Sequence, residues 1–415
     1  MTKTVVVIGA GIVGVSSALW TQRDGHKVIL IDREGPAAGT SFGNGGVLAS
    51  SSIVPVSTPG LLWSAPRMLF NRNKPLFIKW GYLPKLLPYL VGFLGNANAK
   101  AVRARAAAMT HLLSDSVNDH LTLAEGTGAE RYIVPSDYLF IYRNRAHYEA
   151  DNFGWDLRKE FGFNWEVLDG QSFQDYDPVF GPGLTCAARC PDHGRISDPG
   201  AYVTALAKHF ETQGGQFIRG EVTDIARENG SVSGVRVSGE FIPCDTVVIA
   251  TGVWSAKLAA SLAVKVPIES ERGYHLELWE PNIMPKSPVM VASGKFVVTP
   301  MDGRLRLAGV VEFGGLNAPP SKAPLELLEK NIQEAIPRLT WEEKTEWMGH
   351  RPAIMDSTPM IGETPKVKGA FLAFGHDHVG LTGGPKTGQL ISQLISQRQP
   401  NIDMSPYSPA RFASS

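Results

Sequence analysis

Three glycines, Gly9, Gly11 and Gly14, follow an unbroken apolar run, Val5 to Ile8, and open a stretch of helical character from Ile12 to Gln22. The chemistry this spacing suits is capture of a pyrophosphate. Gly9 permits a tight turn, Gly11 lets backbone N–H groups approach the ligand, and Gly14 lets helix and strand pack closely. The helix N-terminus adds partial positive charge. Ala10, Ile12 and Val13 complete the string, and Asp32 ends a second strand, Lys27 to Ile31, with Arg33 beside it. A carboxylate at that strand end accepts from ribose hydroxyls. Taken alone, the fingerprint fits NAD as well as FAD.

Three later segments point to a longer dinucleotide. Thr40, Ser41, Asn44, Gly45, Gly46 and Val47 belong to a loop rich in hydroxyls and glycine after the second strand. Val247 to Ala250 is a strand that runs into Thr251-Gly252, a small-residue turn where backbone can pass close to an adenosine; Val222 and Trp254 are counted with it. Gly375-His376-Asp377-His378-Val379-Gly380-Leu381-Thr382 precedes the last helical stretch, expected over 388–396. A helix N-terminus there can stabilise negative charge at N1 and O2 of a reduced flavin. The run Gly383 to Thr387 is not a phosphate loop, because Pro385 separates glycine from lysine. A disulfide reductase fed by NAD(P)H is excluded, since the chain has neither a second GxGxxG nor a Cys-x-x-Cys. The cofactor expected is therefore FAD, held without a covalent bond.

The elements that must position these residues alternate in type. Helices are expected over 100–125, 146–161, 199–213 and 325–335. Strands are expected over 138–142, 216–218, 232–238, 246–250, 274–278, 296–299, 305–310 and 370–374. Asp198-Pro199 opens one helix as N-cap and first residue, and Gly214-Gly215 stops it. βαβ-like material near both ends brackets a strand-rich stretch. The expected fold class is α/β with an α+β insertion: a discontinuous Rossmann-like cofactor domain of residues 1–53, 191–265 and 346–398, and a substrate domain of 54–190 and 266–345.

The 415 residues suffice for two or three domains. Forty basic residues balance forty acidic ones, which argues against nucleic acid as a partner. Cys186, Cys190 and Cys244 are too few for a disulfide framework and fit a reducing compartment. Cys186-x3-Cys190-x2-His193 lacks a second ligand pair, so no metal is expected. The first strand begins where a leader would stand, and no run of about eighteen apolar residues occurs, so a cytoplasmic location is expected. One segment is unbalanced. Between Glu34 and Asp115 there is no acidic residue, while Arg67, Arg72, Lys74, Lys79, Lys85, Lys100, Arg103 and Arg105 are basic, with many aromatic and aliphatic residues interleaved over 61–94. Two readings stand: an interfacial contact with the inner face of the inner membrane, or an excursion of the substrate domain packed on its own protein.

These segments resemble the D-amino acid oxidase-like (DAO) FAD-dependent oxidoreductases, among them glycine oxidase, sarcosine oxidase and bacterial D-amino acid dehydrogenase, over nearly the whole chain. Ser41-Phe-Gly-Asn44, Glu271-Arg-Gly-Tyr-His275, Ala292-Ser-Gly-Lys-Phe296, Thr299-Pro-Met301 and Ser405-Pro-x-x-Pro-x-Arg-Phe412 look most like the glyphosate oxidoreductase branch. The resemblance implies the two-domain, glutathione-reductase-like fold and oxidation of an amine at the carbon bearing a carboxylate. Hydride passes to flavin N5 and the imine hydrolyses, chemistry that needs orientation more than a catalytic dyad. Arg351, in Gly349-His-Arg-Pro352, matches the arginine that forks onto the substrate carboxylate. His378, Tyr274, His275 and Phe296 are implied around the substrate, with Lys295 compensating for a hydroxyl missing at Phe296. Electrons are expected to pass to quinone. The alternatives are oxygen, as in sarcosine, glycine or glyphosate oxidases, and an FAD-requiring tRNA-modifying protein of the same fold.

Overall fold

The computed structural model describes residues 1–59 and 75–412. Residues 60–74, where Trp63, Arg67, Phe70 and Arg72 of the basic aromatic segment fall, lie outside the described residues.

Val5, Val6, Val7 and Ile8 are all buried because the strand Thr4–Ile8 sits inside a sheet covered on both faces. Val5 and Val7 point to a helical layer formed by Ile12–Arg23, Pro199–Thr212 and Gly380–Ile395. Val6 and Ile8 point the other way, to a three-stranded antiparallel layer spanning Val222–Pro243. The six-stranded sheet between these layers has the order Met360–Glu363, Ala370–Phe374, Thr246–Ile249, Thr4–Ile8, Lys27–Asp32, Gln216–Arg219. It is parallel apart from Met360–Glu363. This is the doubly covered Rossmann-like unit expected.

A second, ten-stranded mixed sheet carries the rest. Its path runs Glu343–Ile354, Ile268–Trp279, Arg304–Phe313, Phe296–Met301, Val289–Val291, Ile133–Tyr142, Cys186–Ile196 and Val47–Leu48. One face is covered by the helix Ala323–Ala335, whose Leu325, Leu328 and Ile332 pack on Leu276, Leu278, Leu305 and Leu307. The other face carries His275, Glu277, Arg304 and Arg306 and meets the loop 42–46. The strands Cys186–Ile196 and Glu343–Ile354 cross the boundaries expected at 190/191 and 345/346. Both hydrogen-bond within the large sheet along their length, and sequence pattern gives no sign of that pairing.

Three helical expectations need correction. The stretch 100–125 is two helices, Ala99–Leu113 and Ser116–Ala124, and 146–161 is likewise two, Arg145–Glu149 and Asn152–Glu160. The last helix begins at Gly380, not at 388, and contains Pro385. A proline there frees the carbonyl four residues back, at Leu381. His120 Nε2 donates to that oxygen at 2.9 Å, while its Nδ1 accepts from Tyr202 Oη at 2.7 Å. Burial lowers the His120 pKa to about 4, so the ring stays neutral and keeps this tautomer. The glycines of this helix serve packing: a Cβ at Gly388 would stand 2.5 Å from the Ser16 backbone, and one at Gly384 would stand 2.9 Å from Ile12.

Candidate active site

The turn after the first strand is built as its glycines require. Gly9 has φ +104°, and a Cβ there would stand 2.5 Å from the Ala250 carbonyl oxygen, while one at Gly14 would strike the carbonyl of Gly9. Ile12 N–H donates to Ser41 Oγ at 2.9 Å, which ties the loop after the second strand to the helix N-terminus. Asp32 braces the same turn: Oδ2 accepts from Ala10 N–H at 2.8 Å, and Oδ1 accepts from the amides of Glu34 and Gly35 at 2.8 and 3.0 Å. A carboxylate has about four acceptor sites, so capacity remains for ribose hydroxyls.

A cleft of about 690 Å³ runs from this turn to the N-terminus of the last helix. Gly9, Gly11, Ile12, Val13, Asp32, Arg33, Thr40, Ser41 and Asn44 line one stretch of it; Val222, Thr251, Gly252 and Trp254 line another; and Gly375, His376, Gly380 and Leu381 close the far end. Arg33 lies 4.3 Å over the Trp254 ring at the rim. His376 donates from Nε2 to Thr387 Oγ1 at 2.9 Å, and burial lowers its pKa to about 4. Two helix N-termini thus face one cleft, where unpaired amides and the helix dipole favour a diphosphate and an anionic ring edge. The cradles that a side chain would fill, the braced Asp32 and the paired helix termini fit FAD.

Ala10, Gly14, Gly45, Gly46, Val47, Val379 and Thr382 were expected to touch the cofactor and lie behind this lining. They build its frame. Gly45 O accepts from Thr299 Oγ1 at 2.6 Å, Ile196 N–H donates to Gly46 O at 2.7 Å, and Thr382 Oγ1 donates to Val47 O at 3.2 Å.

Arg351 stands on the edge strand opposite Glu271, and its Nη1 donates to Glu271 Oε1 at 2.7 Å. The guanidinium lies across Gly273, where a Cβ would come within 2.7 Å of Nε. His378 follows Asp377 in the turn before the last helix and is exposed. Burial lowers its pKa; Glu271 pulls it up and Arg351 lowers it further, so the ring lies within electrostatic reach of that ion pair. The neighbouring Asp377 has φ +48°, accepts from Ile354 N–H at 2.9 Å, and is raised by burial well above the usual carboxylate range.

Tyr274 and Phe296 do not line the cleft. Side chains alternate across a strand, and Tyr274 takes the helix-covered face, where its hydroxyl donates to Glu312 Oε2 at 2.8 Å and accepts from Ser321 N–H. Phe296 is fully buried in that same core, and Lys295 sits at its strand entrance with φ +50°. His275 takes the cofactor-side face but clamps the loop: its Nδ1 donates to Gly43 O at 3.1 Å and its ring stacks on Trp347 at 5.0 Å. Burial, with Arg306 beside it, lowers its pKa to about 4.

Sequence reasoning passed over the strongest clamp. Arg306 Nη1 donates to the carbonyls of Phe42 and Asn44 at 2.9 and 2.6 Å, and its Nε and Nη2 hold Glu277 Oε1 at 3.0 and 2.7 Å. Arg304 holds the same oxygen at 2.6 Å. Burial pushes Glu277 up, but the two guanidiniums outweigh it and leave the carboxyl at about 2. The one signal was charge at alternating positions, Arg304 and Arg306, inside an apolar strand.

Comparison with known proteins agrees with this geometry. The DAO family model, described as FAD dependent oxidoreductase, matches residues 4–394. The chain is 38% identical over 417 residues to a D-amino-acid oxidase of Bradyrhizobium diazoefficiens, covering 99% of each. Among solved structures, it is similar to a glycine oxidase from Geobacillus kaustophilus (TM-score 0.76, 21% identity, 99% of each chain). It is also similar to an L-proline dehydrogenase from P. horikoshii (TM-score 0.74, 19% identity, 99% and 98% covered). With strand–turn–helix, cleft and family match in agreement, this chain belongs to the DAO family of FAD-dependent oxidoreductases.

Proposed function

We propose that this enzyme oxidises an amino acid, a D-amino acid or an N-substituted glycine, at the carbon bearing its carboxylate. The observation that carries this reading is Arg351, laid across Gly273 and paired with Glu271, on the strand whose Gly349, His350 and Pro352 line the cleft. FAD, when bound, supplies the hydride acceptor at N5. Arg351 holds the substrate carboxylate through its planar fork. Glu271 fixes the fork's direction and shares its charge with the incoming anion. His378, kept neutral by burial and by Arg351, adds no charge to repel the amine. Burial raises the Asp377 carboxyl well above the usual carboxylate range, which weakens its pull on an ammonium nearby. The hydride leaves a neutral amine, so positioning and exclusion of water carry the rate. The imine then hydrolyses to a 2-oxo acid and an amine.

In this reading the six-stranded unit holds FAD and the large sheet holds the substrate. The binding is non-covalent in this reading, and none of the three cysteines, all buried, lines the cleft. Electrons pass to quinone at the inner membrane face. The support is the helix Leu83–Gly95, where Leu87 and Val91 are 51% and 66% exposed beside Lys85, while no helix among the described residues is long and apolar enough to cross a membrane. The second reading is transfer to oxygen, favoured by the oxidase name of the 38% identical relative. One anaerobic screen tests both: bleaching of the flavin by D-, L- and N-alkyl amino acids, then reoxidation by oxygen or a quinone analogue. No bleaching by any amino acid contradicts the substrate class.

A further inference from the structure

His350 is half-buried on the strand Glu343–Ile354 and lines the cofactor cleft. Three contacts fix the residue. Nδ1 lies 2.8 Å from Ser270 Oγ, the ring meets the Trp254 ring edge-on at 5.7 Å, and the backbone carbonyl accepts from Thr40 Oγ1 at 2.9 Å. Ser270 is buried, and its hydroxyl has no other hydrogen-bond partner among the described residues. A buried hydroxyl gives its proton to the acceptor at hand. Ser270 therefore donates, Nδ1 accepts, and the ring proton sits on Nε2. Burial first, then the charges of Arg272 and Arg33, lower the pKa of the ring and keep it neutral.

Nε2 has no hydrogen-bond partner among the described residues, yet it is not one of their sealed polar atoms. An oriented, neutral N–H is thus left open on a residue of the cleft wall. Its neighbours belong to the two turns that cradle the dinucleotide. Thr40, which holds the His350 carbonyl, precedes Ser41, whose Oγ accepts from Ile12 N–H at the N-terminus of the first helix. Such a terminus is the seat of a diphosphate. Trp254 ends the turn Gly252–Trp254 after the strand Thr246–Ile249, and Arg33 stands over its ring. His350, Thr40, Ser41, Gly252 and Trp254 all line the one cleft.

We propose that His350 binds the cofactor: its Nε2–H donates to the FAD diphosphate, and Ser270, which does not line the cleft, holds the ring in that tautomer. The proposal rests on the FAD site alone and is independent of the substrate reading. A neutral donor suits the place, because the helix N-terminus already supplies partial positive charge; the single N–H adds direction. His350 also adjoins Arg351 on the same strand. A ring held by the diphosphate therefore fixes that strand, and the proposed substrate anchor with it, against the cofactor.

The test compares FAD-loaded wild-type enzyme with His350→Phe, His350→Gln and Ser270→Ala. It reads FAD release on dilution, from the rise in flavin fluorescence, and the phosphorus NMR spectrum of the FAD still bound. A hydrogen bond to a charged group corresponds to roughly ten-fold or more in binding. His350→Phe should therefore release FAD faster by that factor, with a displaced diphosphate resonance and an unchanged visible spectrum. His350→Gln, whose amide can donate in place of the ring, should release FAD close to the wild-type rate while still displacing the resonance. Ser270→Ala should hasten release in the wild-type background and add nothing to His350→Phe. Release from His350→Phe at the wild-type rate overturns the proposal. So does faster release with both phosphorus resonances unmoved, which would make His350 a packing residue. If His350→Phe does not fold, unmoved phosphorus resonances in His350→Gln overturn it equally.

Discussion

Arg351 lies diagonally across from Gly273 on the adjacent strand, and its guanidinium occupies the volume that any side chain at 273 would fill. The direction of the proposed carboxylate anchor is thus set by the absence of a Cβ on its neighbour as much as by Glu271. Gly273→Ala is expected to push Arg351 aside, raising KM for an amino acid roughly 10-fold or more with FAD content unchanged. Steady-state kinetics beside a flavin absorbance spectrum checks this, and an unchanged KM separates the glycine from the site.

The loop that carries Ser41 and Asn44 depends on buried ions. Glu277→Gln leaves Arg304 and Arg306 facing each other without their shared carboxylate. Breaking a buried ion pair from one side costs roughly 3–5 kcal/mol. Thermal unfolding of the variant is expected at a Tm lower by several degrees, and FAD is expected to dissociate more readily as Phe42 and Asn44 lose their anchor. Retention of both properties would remove the network from cofactor positioning.

Gly14→Val tests the cofactor cradle. A side chain at 14 collides with the Gly9 carbonyl, so the helix Ile12–Arg23 must lift from the strand. The prediction is a protein purified without yellow colour that regains no flavin fluorescence quenching on titration with FAD.

Stability should fall on mild acidification. His120, His275 and His376 have folded pKa values of about 4, against about 6.5 in an unfolded chain. Between those values the unfolded chain binds protons that the folded chain refuses, so stability is present above pH 6.5 and lost as pH drops toward 4. For fully buried His120 the loss is about 2 kcal/mol by pH 5. Melting scans at pH 7 and pH 5 should show a clear drop in Tm, and His120→Gln, which can still donate to Leu381 O, should shrink it. An equal drop in that variant would assign the effect elsewhere.

The cofactor end of the molecule was legible because its requirements fall on residue identity. Only glycine tolerates φ +104° beside the Ala250 carbonyl, and Asp32 ends a strand whose apolar run announces a covered parallel sheet. The substrate end depends on pairing. Tyr274 and His275 are adjacent in sequence but lie on opposite faces, and nothing in a string of letters says which face meets the cofactor. The Glu277–Arg306 clamp joins two strands, and the start of the last helix at Gly380 depends on a histidine 261 residues away from Leu381. The proline that hid that helix is offset from outside its own segment.

The most direct measurement is anaerobic flavin reduction by an amino acid, followed as a function of its concentration in the wild-type enzyme and in Arg351→Met. Losing one side of a buried charge pair costs about 2–5 kcal/mol. The half-saturating concentration should therefore rise by roughly 30-fold or more, while the variant still binds FAD. Reduction that saturates at the same concentration in both proteins would contradict the assignment of Arg351 as the carboxylate anchor and, with it, the amino-acid reading of the site.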